Sequence, residues 1–145
     1  MVVKLKIGIG TVQFGLNYGI SNSSGKTERE EVKQILEYAS FHGVTILDTA
    51  SAYGDSESVI GQECPESSCF SIVTKLPAFT NDVISKDDVA SAKDILNRSL
   101  TKLSRNSVYG LLLHQASDLL KKGGSDLYEQ LKTVVDSLKE NVCIK

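Results

Sequence analysis

Four polar residues that could together transfer a proton follow short apolar runs in this sequence. Asp48 ends the run VTIL, and Tyr53 comes five residues after it in a polar loop. Lys75 follows the run FSIVT, and His114 follows VYGLLL. A carboxylate, an ammonium group and an imidazole therefore stand at the ends of successive apolar segments, and the phenol lies in the loop after the first of the three. The ends of such segments are where α/β proteins place reactive groups.

These four groups suit the reduction of a carbonyl. A phenol is a weak acid at neutral pH, and a neighbouring ammonium group favours its anionic form. A carboxylate can hold that ammonium group in place, and a neutral imidazole can donate a hydrogen bond to a carbonyl oxygen. Such a set polarises a carbonyl and protonates the developing alkoxide. No side chain supplies a hydride, so a cofactor has to do so.

Each residue also has an ordinary structural interpretation. Asp48 could cap a loop or helix, and Tyr53 could be a half-buried tyrosine. Lys75 could be a solvated strand end, and His114 a histidine with its hydrogen bonds satisfied. A metal site built from Asp48, His114 and Asp118 is an alternative, but it lacks the closely spaced pair of ligands that such sites usually have.

The elements that must position these residues alternate between strand and helix. Apolar runs predict strands at 4–9, 44–47, 70–74 and 108–113, with the start of a fifth at 142–144. Helical spacing predicts helices at 28–41, 56–63 and 126–140, and a further long helix that Ser85 caps. Thr27 and Glu30 suggest a capping box. Alternating strands and helices imply a parallel sheet, so the strand ends should meet at one edge.

Two glycine-rich segments resemble nucleotide-binding motifs only in part. IGIGTVQFG has Gln13 where a dinucleotide motif needs its third glycine. In GISNSSGKT, from Gly19 to Thr27, the glycines enclose five residues instead of four, and no clear strand precedes them. We interpret this segment as a mobile loop before a helix.

Composition indicates a soluble globular protein. The 145 residues are 41% hydrophobic and 23% charged, with a net charge of -2. We predict one domain over residues 1–145. The near-neutral charge balance predicts no nucleic-acid or membrane partner. No membrane span or signal peptide is evident, so we predict a cytoplasmic location. Cys64, Cys69 and Cys143 lack metal-type spacing and are interpreted as reduced thiols.

The segment LDTASAYGDSESVIG resembles the signature D-T-A-x-x-Y-G-x-S-E-x-x-x-G of the aldo-keto reductases. IGIGTVQFG, VTKL and LLLHQ are similar to three shorter motifs of that family, in the same order. The resemblance implies reduction of a small-molecule aldehyde or ketone with a nicotinamide cofactor, usually NADPH, in an eight-stranded barrel. By motif, Tyr53 would be the proton donor, tuned by Lys75; Asp48 would pair with Lys75, and His114 would orient the carbonyl.

The resemblance also implies a cofactor site. Gly10, Thr11, Val12 and Asp48 would lie near the nicotinamide. Whole (β/α)8 barrels have roughly 250 residues, so this chain would be the N-terminal half, ending at the start of strand five. We therefore expect weak or absent NADPH binding, doubtful activity of the isolated chain, and self-association through exposed half-barrel edges. The alternative is a non-catalytic regulatory or interaction module that retains the fold.

Overall fold

The computed structural model describes residues 7–64 and 70–139. In these ranges four parallel strands form one sheet in the order β1-β2-β3-β4, and helices connect consecutive strands. The elements are, in chain order, β1 (Gly8–Gly10), α1 (Val12–Gly15), α2 (Arg29–Phe41), β2 (Ile46–Asp48), α3 (Ser56–Glu63), β3 (Ser71–Leu76), α4 (Lys86–Lys102), β4 (Gly110–Leu113), a 3-10 helix (Ala116–Leu120) and α5 (Gly124–Lys139).

The two faces of the sheet differ in what covers them. Alternate residues of β3, from Ile72 to Leu76, are buried beneath the helices. Residues in register across parallel strands point to the same face, so Lys75 shares its face with Asp48 of β2 and Leu112 of β4. We call this the open face, because its apolar members remain accessible: Ile46 is 38% exposed and Leu112 is 48% exposed.

Two clusters of buried apolar side chains fill the space between sheet and helices. The first lies beneath α1, α2 and α3, and its members include Phe14, Val32, Leu36, Leu47, Ile60 and Ile72. The second lies beneath α4 and α5 and includes Leu76, Ile84, Leu96, Leu100, Leu127 and Leu131. Burying a side chain of this size contributes roughly 1.5–3 kcal/mol. These clusters fix the strands, and with them the residues at the strand ends.

The predicted alternation of strands and helices is confirmed. Helix α3 has the predicted bounds, and Ser85 caps α4 as predicted: its Oγ accepts the Asp88 backbone N–H at 3.2 Å, while the Asp88 carboxylate accepts the Ser85 N–H at 2.8 Å. The third strand runs to Leu76, so Lys75 lies inside β3 and does not follow it as predicted. The other three predicted strands correspond to β1, β2 and β4. These elements are shorter than the predicted ranges 4–9, 44–47 and 108–113, and their bounds differ from the predicted bounds by up to several residues.

Some local predictions are wrong or incomplete. The capping box from Thr27 and Glu30 does not form, because α2 begins at Arg29 and Glu28 stands at its cap without a side-chain hydrogen bond. The one-turn helix α1 and the 3-10 helix were not predicted. Residues 4–6, the fifth strand at 142–144, and two of the cysteines lie outside the described residues. Cys64 lies within them, and Arg105 Nη2 donates to its Sγ at 3.7 Å.

No helix in the described ranges has the length and the apolar character that crossing a bilayer requires. The prediction of one domain over residues 1–145 stays a prediction, because both ends lie outside those ranges.

Candidate active site

A short ion pair joins the ends of β2 and β3 on the open face. Lys75 Nζ lies 2.6 Å from Asp48 Oδ1, and it also donates to the Thr49 carbonyl at 2.9 Å. The Lys75 side chain is 15% exposed, whereas that of Asp48 is 44% exposed. Two acceptors therefore fix the ammonium group, while the carboxylate remains in contact with solvent.

The phenol of Tyr53 belongs to the same group. Lys75 Nζ lies 5.2 Å from the centroid of the Tyr53 ring, within the range of a cation–π contact. Two backbone hydrogen bonds shape the loop that carries the ring: Tyr53 N–H donates to Ala50, and Ser56 N–H donates to Tyr53, at 3.0 and 3.1 Å. The ammonium group is thus held between a carboxylate and an aromatic ring.

Close packing of two glycines holds this loop against α1. A Cβ added to Gly15 would lie 1.9 Å from the Tyr53 carbonyl oxygen. Gly54 has a φ of +59°, and a Cβ there would lie 2.5 Å from the Gly15 carbonyl oxygen. Both positions therefore require glycine, and the position of Tyr53 depends on them.

His114 lies at the same edge of the sheet but is less closely associated. Its backbone N–H donates to the Leu76 carbonyl at 3.0 Å, directly beyond the pairing of β3 with β4. Its imidazole is exposed. Within the described residues the structure thus brings Asp48, Tyr53 and Lys75 together and leaves the His114 ring free to face a bound molecule.

The predicted cofactor residues divide into accessible and internal groups. Gly10 is in register with Asp48, and a Cβ added there would meet nothing within 4 Å. Val12 is half-buried at the start of α1. Thr11 is fully buried, and its hydroxyl donates to the Asp48 carbonyl at 3.0 Å. The open surface beside Gly10 and Asp48 could accommodate a flat ring, whereas the Thr11 side chain serves the fold.

Sequence reasoning missed a buried hydroxyl network beneath these residues. Ser56 Oγ lies 2.8 Å from the Thr11 carbonyl oxygen, 2.9 Å from Thr11 Oγ1 and 3.3 Å from Thr49 Oγ1. All three residues are fully buried. The network ties the start of α3 to the ends of β1 and β2. Its only sequence signal was a threonine directly after two of the strands.

A buried carboxylate behind β3 was also missed. Glu57 is 2% exposed and accepts a hydrogen bond from Thr74 Oγ1 at 2.7 Å. Thr74 precedes Lys75 and faces the opposite side of the sheet. The Glu57 contact therefore anchors the strand segment that carries the ammonium group.

Asp118, considered above as a metal ligand, instead joins the 3-10 helix to the loop after β3. It is fully buried, its Oδ2 accepts the Phe79 N–H at 3.1 Å, and its Oδ1 lies 2.8 Å from Lys121 Nζ. Burial alone would raise the pKa of Asp118, but the Lys121 ammonium and the Phe79 N–H outweigh burial and hold that pKa below its ordinary value. No cluster of three potential metal ligands occurs in the described parts of the chain.

The loop that resembles a phosphate-binding motif is organised by its own side chains. Asn22 Oδ1 accepts the backbone N–H groups of Ser24 and Gly25, both at 3.0 Å, and Asn17 Oδ1 accepts that of Lys26 at 2.7 Å. Helix α1 precedes the loop, where a phosphate-binding motif would need a strand. The sequence interpretation as a mobile loop did not foresee this ordered arrangement.

Comparison with known proteins agrees with this arrangement. The profile of the Aldo/keto reductase family matches residues 6–141. The chain belongs to the aldo-keto reductase family. The resemblance inferred from its motifs is therefore confirmed, and so is the fold class, a parallel β/α sheet that matches part of the aldo-keto reductase barrel.

Two solved structures illustrate the relation. A crystal structure of a provisionally named aldo-keto reductase from Pseudomonas aeruginosa aligns over 88% of this chain and 51% of its own, with a TM-score of 0.69 and 26% identity. Another structure of a provisionally named aldo-keto reductase from that organism aligns over 88% of this chain and 49% of its own, with a TM-score of 0.67 and 24% identity. A search of curated proteins returned no match. The chain thus spans about half the length of these neighbours.

Proposed function

We propose that this chain is half of a carbonyl reductase, and that the whole protein reduces an aldehyde or ketone to an alcohol with NAD(P)H. The observation that carries this proposal is the contact of one ammonium group, that of Lys75, with both the Asp48 carboxylate and the Tyr53 ring. Membership of the aldo-keto reductase family supports an oxidoreductase.

In this proposal the phenol acts as the general acid. Tyr53 donates its hydroxyl proton to the carbonyl oxygen of the substrate as that oxygen gains negative charge. Lys75 stabilises the phenolate that remains, and Asp48 keeps the ammonium group charged and oriented. The exposed imidazole of His114 hydrogen-bonds the same carbonyl oxygen and orients it. General acid catalysis of this kind contributes roughly 10² to 10⁴ in rate.

The nicotinamide cofactor, when bound, supplies the hydride. The open surface at Gly10 and the adjoining Asp48 carboxylate would hold the ring, with the backbone of Thr11 and Val12 beside it. Because the described residues offer little else at this edge of the sheet, we expect the isolated chain to bind NADPH weakly or not at all. A fluorescence titration of NADPH measures this, and micromolar affinity would contradict the expectation.

The acid role can be tested in the longest expressed form of the protein. Tyr53→Phe should lower kcat by at least about 100-fold, because only the proton donor is lost, while the NADPH Kd stays nearly unchanged. Tyr109→Phe is the matched control, since that side chain is 71% exposed at the start of β4. Turnover retained by Tyr53→Phe would remove Tyr53 from the acid role.

A non-catalytic role is the second candidate. The exposed apolar side chains of the open face, Ile46 and Leu112, favour an interaction module. A stable complex with a partner protein, together with no reductase activity across a panel of aldehydes and ketones in the longest form, would favour this candidate. The cytoplasmic location inferred from the sequence stays a prediction under either candidate.

A further inference from the structure

The segments that follow β3 and β4 stay attached to each other beyond the ends of the two strands. The His114 N–H donates to the Leu76 carbonyl, which continues the pairing of β3 with β4 by one residue. Among the described residues, the next backbone hydrogen bond between the two segments is that of the Ile84 N–H to the Lys122 carbonyl, at 2.8 Å. Between these two points the segments need side chains to hold them together.

One ion pair supplies that attachment. The Phe79 N–H donates to Asp118 Oδ2 at 3.1 Å, and Lys121 Nζ donates to the Phe79 carbonyl oxygen at 2.6 Å. Asp118 Oδ1 and Lys121 Nζ are 2.8 Å apart. Two oppositely charged side chains of the second segment therefore bind both backbone polar groups of one residue in the first. We call the pair of Asp118 and Lys121 the loop clamp.

The loop clamp is an expensive way to stabilise a fold. The Asp118 side chain is fully buried, and that of Lys121 is only 21% exposed. Removing a carboxylate and an ammonium group from water offsets much of their attraction, so a buried ion pair is weak evidence of added stability. The best-attested use of such pairs is to hold one particular register of the chain. Here the segment that is held begins directly after His114.

His114 lies between two attachments to the segment that carries Lys75. On one side, its own N–H binds Leu76, the residue after Lys75. On the other side, the Asp118 N–H donates to the Gln115 carbonyl at 3.1 Å and closes a turn, which the loop clamp ties to the segment after β3. The backbone of His114 is thus fixed from both directions, while its imidazole stays exposed.

We propose that the loop clamp positions His114 relative to Lys75 and thereby sets the orientation of the substrate carbonyl. This inference rests on the proposed function, in which the imidazole hydrogen-bonds the carbonyl oxygen that Tyr53 protonates. Asp118 and Lys121 act through His114 and not on the substrate itself. Without the clamp, the segment after β4 is released and the imidazole moves. A displacement of about 1 Å can cost up to roughly 100-fold in rate.

A double-mutant cycle in the longest expressed form, assayed with NADPH and benzaldehyde, tests the proposal. Asp118→Asn removes the charge with little change of shape, and it should lower kcat about tenfold while KM changes less than about threefold. In a His114→Gln background the same change should lower kcat less than about twofold, because the side chain that the clamp positions is gone. A tenfold loss in both backgrounds would overturn the proposal, since Asp118 would then act without His114.

Further variants separate positioning from stability. Lys121→Met leaves a buried carboxylate unpaired and can impair folding, whereas Asp118→Asn combined with Lys121→Met leaves no buried charge and should fold. The double variant should still lower kcat about tenfold, because the methionine no longer binds the Phe79 carbonyl; an unchanged kcat would overturn the proposal. Leu36→Ala is the matched control. It empties a fully buried site beneath α2 and destabilises the fold, yet kcat should stay within about twofold.

Nuclear magnetic resonance of the imidazoles gives a readout that does not depend on activity. The signals of His114 and His42 are assigned from their loss when each residue is replaced with Gln. Asp118→Asn should shift or broaden the His114 signal, because its segment then samples several positions, and should leave that of His42, at the end of α2, unchanged. An unmoved His114 signal would overturn the proposal. A shifted signal in a form that reduces no carbonyl would support the positioning role and count against the proposed function instead.

Discussion

Replacing Ser56 with alanine removes the hydroxyl at the centre of the buried network beneath the site. The Ser56 Oγ proton can be donated to one acceptor at a time, the Thr11 carbonyl at 2.8 Å or Thr11 Oγ1 at 2.9 Å. The Thr11 carbonyl keeps a second donor, the Phe14 N–H at 2.9 Å. Thr49 Oγ1, 3.3 Å from Ser56 Oγ, loses a partner where no water has access.

The cost follows from these contacts. One net hydrogen bond contributes about 1 kcal/mol, and leaving a buried hydroxyl unsatisfied costs about 1–3 kcal/mol. We therefore expect Ser56→Ala to lower the free energy of unfolding by about 2 kcal/mol. With a urea m-value of roughly 2 kcal/mol/M, the unfolding midpoint should fall by about 1 M.

The assay is urea unfolding followed by circular dichroism at a protein concentration at which all variants have the same oligomeric state. Ser91→Ala is the matched control, because Ser91 is exposed on α4 and alanine favours helix by a few tenths of a kcal/mol. Its midpoint should stay constant or rise slightly. A loss below about 0.5 kcal/mol for Ser56→Ala would refute the reasoning, since the hydroxyl would then contribute no more than an exposed one.

Three further changes probe the ion pairs and the close packing. Lys75→Met should lower the free energy of unfolding by only about 1 kcal/mol, because its carboxylate partner is half-exposed and regains water. The rate of reduction by an active longer form should nevertheless fall by at least about 100-fold. A loss of unfolding free energy as large as the loss of transition-state stabilisation would contradict this. Asp118→Asn should destabilise the chain at neutral pH. Because the folded pKa of Asp118 is held below its ordinary value despite burial, its contribution is complete above the unfolded pKa and is lost as pH falls through the folded pKa. The difference in unfolding free energy should therefore shrink in acid; a difference that widens in acid would count against the Lys121 pairing. Gly15→Ala should cost about 1–3 kcal/mol, because its Cβ would overlap the Tyr53 carbonyl. Gly10→Ala, with open space around its Cβ, is the control, and equal midpoints for the two would disprove the close contact.

The sequence was sufficient to predict the fold class and the grouping of three reactive residues. Asp48 and Lys75 meet because both lie on the same face, near the ends of adjacent parallel strands, and that follows from the alternation of strands and helices. Tyr53 follows from the short loop into α3, whose bounds the sequence predicted correctly.

The sequence could not predict how that loop is held. A serine or threonine hydroxyl can bond to backbone, side chain or water, so the roles of Thr11 and Ser56 emerge only from three-dimensional proximity. Likewise, the spacing of Thr27 and Glu30 satisfies the capping-box pattern. The structure starts α2 at Arg29, and the Thr27 N–H donates to the Gln13 carbonyl. A tertiary contact here prevails over a local signal.

The arrangement of the residues proposed to transfer a proton depends on few elements. Among the described residues, the contacts found for Lys75 and Tyr53 come from β1, β2, β3 and the segments directly after them. None of these contacts needs a second half of the barrel. On the open face, Ile46 and Leu112 remain exposed and would contact a second half. Pairing with a second half should therefore leave the Asp48–Lys75 distance unchanged and act on the site by excluding water, which strengthens each electrostatic contact within it.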